Sequence, residues 1–461
     1  MMGARQQAQG ALFYEFSLED YVPGDHLLRL IDRFVDLGGI RGHLAPFYSS
    51  TGRPSVDPEL MIRMLLIGYV MGIRSERRLC EEVHLNLAYR WFCRLDLTDA
   101  VPDHSTFSKS RHGRFRESDL FRQLFETVVG RCIAEGLVGG DRFAVDASLI
   151  RADANRQNAT PIDDWPVERL DPHDAPRAVR EYLDTLDEAA FGAASDVKPK
   201  FTSHSDPAAQ WTGAHKGPAF FAYADNYLID TEHAVIVDVE ATRAIRQAEV
   251  GAARTMIERT LARFELYPEA LVADTAYGSA DMLGWLVYEH GIEPHIPVFD
   301  KSKRRDGCFE KADFTYDHQA DAYTCPAGKQ LRPRRRACQR QSPLADADGM
   351  VRYRASKLDC EQCPLKSQCC PKAPARKILR SVFEGARDMA RDIATTDAYV
   401  ASTRARKKVE MLFAHLKRIL KLDRLRLRGP NGARDEFHLA ATAQNLRKLA
   451  KLVPHPQPMP G

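Results

Sequence analysis

The sequence predicts a mixed α/β protein: an α+β mixed sheet flanked by helices, preceded by an all-helical N-terminal domain and interrupted by a cysteine-rich insert. Three observations predict it. Helix starts and helical apolar spacing fill residues 1–135. Compact apolar runs of strand length alternate with helical stretches over 136–300. Over 301–400 the apolar runs thin out and cysteine and arginine gather, before helical spacing returns over 401–453. These four stretches are the expected domains and parts of domains.

A chain of 461 residues is too long for one ordinary core, so two or three domains are expected. Hydrophobic residues at 44 % and charged residues at 28 % suit a soluble globular protein. A net charge of +3 gives no global attraction to a polyanion, so any nucleic-acid surface must be local. The opening MMGARQQAQGALFYEF lacks the apolar core of a secretory signal. The greasiest run, Leu60 to Ile73, is shorter than a membrane span and contains Arg63, which fits a buried helix. A cytoplasmic protein without membrane contact, its ten cysteines reduced, is the expectation.

The N-terminal elements follow from capping chemistry. Ser17-Leu18-Glu19-Asp20 and Asp57-Pro58-Glu59 are helix starts, Ser75 opens another helix, and Pro102-Asp103-His104 a further one. The last carries Lys109, Arg111, His112, Arg114 and Arg116 on its polar face. Short helices and one basic helix suggest a helix-turn-helix-like DNA contact through Lys109 and Arg111; a plain bundle with a solvated charged face is the alternative.

At Asp141 the period changes, and Phe143 to Ile150 reads as a strand. Residues 151–218 read as loop with one helix on Val179, Leu183 and Leu186. Phe220–Ile229 and Ala234–Val239 form a hairpin turning near Asp230-Thr231. A helix over Val250–Phe264, a strand over Ala270–Asp274, a helix over Asp281–His290 and a strand over Glu293–Phe299 complete the layout.

An Asp inside an apolar strand is costly unless something satisfies it. Asp146 stands in FAVDAS and Asp274 in LVADTAYG, each near the polar end of its strand, where α/β sheets place ligands. Strand termination or helix capping explains either one taken alone. A third acid, Glu410, shares one face of a helix with Arg406 and Lys417, at positions i, i+4 and i+11 from Arg406. An acid to hold a metal beside cations to meet phosphate is what a phosphoryl-transfer site needs. A salt-bridged surface helix satisfies the Arg406–Glu410 spacing as well. Two Asp and one Glu suit Mg²⁺ or Mn²⁺, and two such ions would serve an in-line displacement at phosphorus.

Two basic runs lie nearby. One is Arg332, Arg334, Arg335, Arg336 and Arg340; the other is Lys407, Lys408, Arg418, Lys421, Arg424, Arg426 and Arg428. Contact with DNA backbone phosphates is their functional reading, and a solvated surface the plain one. Cys325, Cys360, Cys363 and Cys369, with Cys370 as an alternative, have a spacing that suits a structural Zn²⁺. An iron–sulfur cluster and simple reduced thiols remain alternatives. Cys80, Cys93 and Cys132 lie on apolar helical faces and read as packing residues.

The motifs together resemble the DDE insertion-sequence transposases. VDAS followed by Ala152-Asp153-Ala154-Asn155 looks like the first-Asp motif of that family, and ADTAYGS like the second. Arg406-x3-Glu410-x6-Lys417 looks like the signature around the family's catalytic Glu; Thr403 stands where that signature has Tyr. GRPSVDPELMIRMLLIGYVMGIRSERRLCEE and PDHSTFSK resemble the family's N-terminal helical domain, and His204-Ser205-Asp206-Pro207 has a counterpart before the second strand. The resemblance implies a ribonuclease-H-like catalytic core, with Asp146, Asp274 and Glu410 as metal ligands. It implies cleavage at terminal inverted repeats and attack of the freed 3′-hydroxyl on target DNA. Neither a covalent enzyme intermediate nor ATP is implied, and the working form is an oligomer on double-stranded DNA. A decayed DNA-binding relative and a simple metal-dependent nuclease are the rivals; the intact acid triad favours an enzyme over the former, while the latter uses the same metals and acids and stays open.

Overall fold

The computed structural model describes residues 16–52, 55–165, 171–191, 199–214, 217–300, 306–333 and 344–454. The chain forms two compact units. One takes Met1–Gly139, Ala147–Leu266 and Lys408–Gly461; the other takes Gly140–Asp146 and Tyr267–Lys407.

The first unit opens with eight helices: α1 (Leu18–Tyr21), α2 (Leu27–Asp32), α3 (Ile40–Leu44), α4 (Pro58–Val70), α5 (Glu76–Leu85), α6 (Leu87–Phe92), α7 (His104–Ser110) and α8 (Leu120–Ala134). The expected starts are real caps: Ser17, Asp57, Ser75 and Asp103 each accept a backbone N–H of the first turn. Helix α4 is buried from Met61 to Val70, as its apolar surface requires. The one charge in this buried stretch, Arg63, is met by the Asp32 carboxylate at 2.6 Å and the Phe92 carbonyl at 3.1 Å.

Strand β1 (Arg142–Arg151) leads to a small antiparallel pair, β2 (Ala159–Pro161) with β3 (Phe201–Ser203), and helix α9 (Arg177–Asp184). Then β4 (Gln210–Ala214), β5 (Gly217–Asp230) and β6 (Ile236–Arg243) pair antiparallel, followed by α10 (Arg246–Phe264). The β5–β6 hairpin falls where the apolar pattern put it; β4 occupies a stretch expected to be loop. Helix α16 (Pro430–Leu452) is the spine of this unit and packs on α2, α4, α8, α9 and β6. Its buried polar residues bind backbone: Asn445 accepts from Ile236 N–H and donates to Ile236 C=O, at 3.0 and 2.8 Å.

In the second unit the first residues of β1 pair in parallel with β7 (Ala270–Val272), and β7 with β8 (Glu293–His295). Helix α11 (Ala280–Gly284) continues into a wider turn, Trp285–Glu289, and β8 stops four residues short of the expected strand end. The 301–400 stretch is more ordered than its sequence suggests. It carries an antiparallel sheet of β9 (Thr315–Asp317), β10 (Ala322–Thr324), β11 (Gln330–Pro333), β12 (Met350–Arg354) and β13 (Lys377–Ser381), in the order β13-β12-β11-β10-β9. Phe314, Tyr323, Leu331, Val351, Tyr353 and Ile378 make its small core, joined by Cys369 and Cys370. Asp321 accepts from the hydroxyls of Tyr316 and Tyr353, at 2.7 and 2.5 Å. Helices α12 (Lys357–Glu361), α13 (Lys366–Cys369) and α14 (Glu384–Ile393) follow, then α15 (Asp397–Arg418). The chain is thus mixed α/β, with a helical N-terminal region and both parallel and antiparallel pairing. Among the described residues no helix is long and apolar enough to cross a membrane.

Candidate active site

Strand β1 runs through a buried Phe143-Ala144-Val145 and brings up Asp146, half-buried. The last β1–β7 pair is Ala144 with Val272. Asp146 stands two residues beyond Ala144 in β1, and Asp274 two residues beyond Val272, past the end of β7. Asp274 caps the short turn Thr275–Tyr277, its Oδ1 accepting from Ala276 N–H at 2.6 Å. Capping and ligation are compatible, because a carboxylate offers several lone pairs.

The turn after Asp274 has no room to move. A Cβ on Gly278 would lie 2.0 Å from the Pro297 carbonyl oxygen and 2.8 Å from Phe299 N. Phe299 N–H donates to the Gly278 carbonyl at 2.8 Å. The glycine of the ADTAYGS motif is there for close backbone approach.

Helix α15 supplies the cations. Arg406 Nη1 lies 3.2 Å from Asp146 Oδ2. One turn earlier Ser402, fully buried, meets the imidazole of His295 at the end of β8, Oγ to Nδ1 2.7 Å. Ser402 Oγ also donates to the Ala398 carbonyl at 2.9 Å, which makes His295 Nδ1–H the donor to the serine oxygen. Burial holds the His295 pKa below its usual value, so the ring is neutral. This latch between strand and helix escaped the sequence reading, since neither residue belongs to a motif.

Glu410, Lys417 and Arg418 belong to the part of α15 in the first unit. Glu410 and Arg418 are exposed, while Val409, Phe413 and Leu416 are buried on the inner side. Lys417 is half-buried, its pKa lowered by burial against the opposing charges of Asp225 and Asp423. Asp225 is fully buried in β5, and burial pushes its carboxyl well up. It was missed, although the rule that singled out Asp146, an acid inside an apolar strand, applies to FFAYADNYLI equally. Asp206 is also fully buried and accepts the Tyr223 hydroxyl at 2.5 Å, which makes it a brace.

The other expected DNA contacts divide. Lys407 and Lys109 are exposed. Lys408 is given to the fold: its ammonium donates to the Thr231 and Glu232 carbonyls at 2.6 and 2.7 Å. Arg111 is buried against Glu76 rather than solvent-facing. Arg116 binds Glu181 and Asp435 at 2.6 and 3.0 Å, and Arg114 lies over the Tyr48 ring. The expected basic face of this helix is therefore largely an internal ion-pair network, because acids distant in sequence fold onto it. Arg424, Arg426 and Arg428 are exposed, with Leu425 buried between them, and Arg424 and Arg428 both bind Asp153. Arg332 is exposed; Arg334, Arg335, Arg336 and Arg340 lie outside the described residues. Cys325, Cys360, Cys363, Cys369 and Cys370 line one cavity. Among the described residues, no group of three or more His, Cys, Asp or Glu side chains stands in a metal-holding array.

Residues 16–113 match a family model described as a transposase domain (DUF772), and residues 324–450 match one described as a transposase DDE domain. The second match contains the cysteine stretch, Arg406, Glu410 and Lys417; Asp146 and Asp274 precede it. A chain with these two domains is an enzyme of DNA transposition. It belongs to the DDE transposases of insertion sequences.

Proposed function

We infer that this transposase cleaves DNA at the terminal inverted repeats of its element and joins the freed 3′-ends to target DNA. Asp146, Asp274 and Glu410 hold two Mg²⁺ or Mn²⁺ ions on a ribonuclease-H-like core. The observation that supports this reading is the parallel pairing of β1, which carries Asp146, with β7, which leads into Asp274, together with Arg406 on Asp146. The donor set fits a hard cation: it is all oxygen, with Asp146 and Asp274 half-buried, Glu410 exposed, and Asp146 already opposed by a positive charge. Bound there, divalent ions activate a water or a 3′-hydroxyl and stabilise the leaving oxygen of an in-line displacement.

The chain's own residues do the rest. Arg406 neutralises Asp146 before metal arrives and then turns to a backbone phosphate. Lys407, Lys417, Arg418 and Lys109 meet further phosphates, which fixes the duplex without reading its sequence. The latch of His295 on Ser402 fixes the rotation of α15 and with it the direction of Arg406. Two or more copies act on paired ends, in the cytoplasm and on the nucleoid.

The test is a cleavage and strand-transfer assay on labelled DNA carrying the flanking repeats, with Mg²⁺ or Mn²⁺. Nicking at the repeat end by the wild type, lost by a factor of 100 or more in Glu410→Gln while DNA binding persists, is the expected result. Equal cleavage by both proteins would refute the assignment of Glu410. Repeat binding by a wild type that never cleaves would favour the decayed, DNA-binding reading.

A further inference from the structure

We propose that the 315–381 sheet is organised by one zinc ion, held by the thiolates of Cys325, Cys360, Cys363 and Cys370. The proposal stands independently of the catalytic reading. Three separate stretches of chain deliver five thiols to one cavity of about 30 Å³. A cavity of that size has room for one ion at its centre.

Each stretch is shaped for the purpose. Cys325 opens the turn Cys325-Pro326-Ala327-Gly328-Lys329, in which Gly328 takes φ +75° and donates its N–H to the Cys325 carbonyl at 2.8 Å. This aims Lys329 N–H at Cys325 Sγ, 3.3 Å away. Cys360 and Cys363 flank the end of α12, where Cys363 N–H donates to the Cys360 carbonyl at 3.4 Å. A Cys-x2-Cys turn of this kind presents two sulfurs to one point. Cys369 and Cys370 both line the cavity, and Cys370, which follows the end of α13, is assigned as the fourth ligand.

Charge and core size point the same way. Four thiolates around Zn²⁺ carry a net charge of about −2, and Lys329, Lys366 and Arg376 line the same cavity. A bound dication turns ligand deprotonation into folding energy. The sheet needs such energy, since its strands are three to five residues long over a core of nine buried residues. The sulfurs stand apart as thiols, and the proposal calls for them to close to about 2.3 Å from a central ion.

Elemental analysis of the full-length protein, purified without chelator, tests this. About one zinc per chain and no iron is the expected result. Cys360→Ser and Cys363→Ser lose the ion, and Cys132→Ser, at a buried thiol of α8, keeps it. Exchange of cobalt into the unmutated chain, which depends on no variant folding, gives the absorption of tetrahedral thiolate ligation. A folded protein with no bound metal and five freely reacting thiols would overturn the proposal, and bound iron would overturn zinc. Loss of the ion in Cys370→Ser but not in Cys369→Ser supports the ligand set; the reverse pattern overturns it.

Discussion

Arg406 holds Asp146: the guanidinium Nη1 lies 3.2 Å from the carboxylate Oδ2, with the two side chains 26 % and 22 % exposed. The residues are 260 positions apart, so the pair records the fold rather than the local sequence. A pair this open contributes about 1 kcal/mol or less to stability. Its interest is functional, because a cation occupies the acid proposed to hold the metal.

Arg406→Ala is therefore expected to leave thermal stability almost unchanged and to lower cleavage about 10–100-fold through loss of a charge-assisted phosphate contact. The manganese concentration for half-maximal cleavage falls, since Asp146 loses its competing cation. A metal titration of the cleavage rate reads both effects; a raised metal requirement contradicts the competition.

Lys109 and Arg111 separate binding from folding. Arg111→Ala leaves Glu76 without its buried partner and is expected to cost about 3–5 kcal/mol in a denaturant melt, without changing the salt dependence of DNA binding in whatever protein remains folded. Lys109→Ala, at an exposed position, leaves the melt unchanged and lowers the slope of log affinity against log salt by about 1. The opposite pattern would return Arg111 to the DNA surface.

Asp206 makes stability depend on pH. Burial pushes its carboxyl up to about 6, from an ordinary 3.8. The folded state therefore holds this proton more tightly than the unfolded chain. The group's contribution is greatest below about pH 4, falls between about 4 and 6, and stays low above that, by about 3 kcal/mol at most. Asp206→Asn keeps an acceptor for the Tyr223 hydroxyl and removes the slope. Relative to wild type it gains stability at about pH 7.5 and gains little at about pH 4, measured by melts across that range.

Gly278→Ala drives a methyl into the Pro297–Phe299 backbone and must displace the turn that carries Asp274. Cleavage is expected to fall at least 10-fold, by the loss of positioning that small displacements bring. Far-UV circular dichroism separates this from unfolding, and wild-type cleavage in Gly278→Ala would show that the turn does not govern the acid.

What the sequence disclosed was local. Ser17, Asp57, Ser75 and Asp103 cap helices by side chain to backbone bonds two or three residues long, and each was readable. The β5–β6 hairpin was readable because its strands carry long apolar runs. The sheet of β9–β13 was not, since strands of three to five residues leave no periodicity to detect. Charge was visible without its partner. Arg116 read as surface until Glu181 and Asp435, 65 and 319 residues away, closed on it. Of the candidate site, the acids and cations of the motifs were legible. The His295–Ser402 latch was not, because it depends on a pairing between distant segments, while the buried Asp225 could have been found by the rule that found Asp146.

Helix α16 has a consequence for how the protein comes into being. The helices α2, α4 and α8 bury their apolar faces on it, and Arg116 on the helical segment before α8 waits for Asp435, 319 residues later. A ribosome adding roughly 5–20 residues per second takes on the order of 15–60 s to cover that distance. Through that interval the N-terminal helices are synthesised and greasy but have no spine to close on. The nascent chain is therefore a client for holding chaperones, and premature termination anywhere before α16 yields a product fit for proteolysis rather than a working fragment.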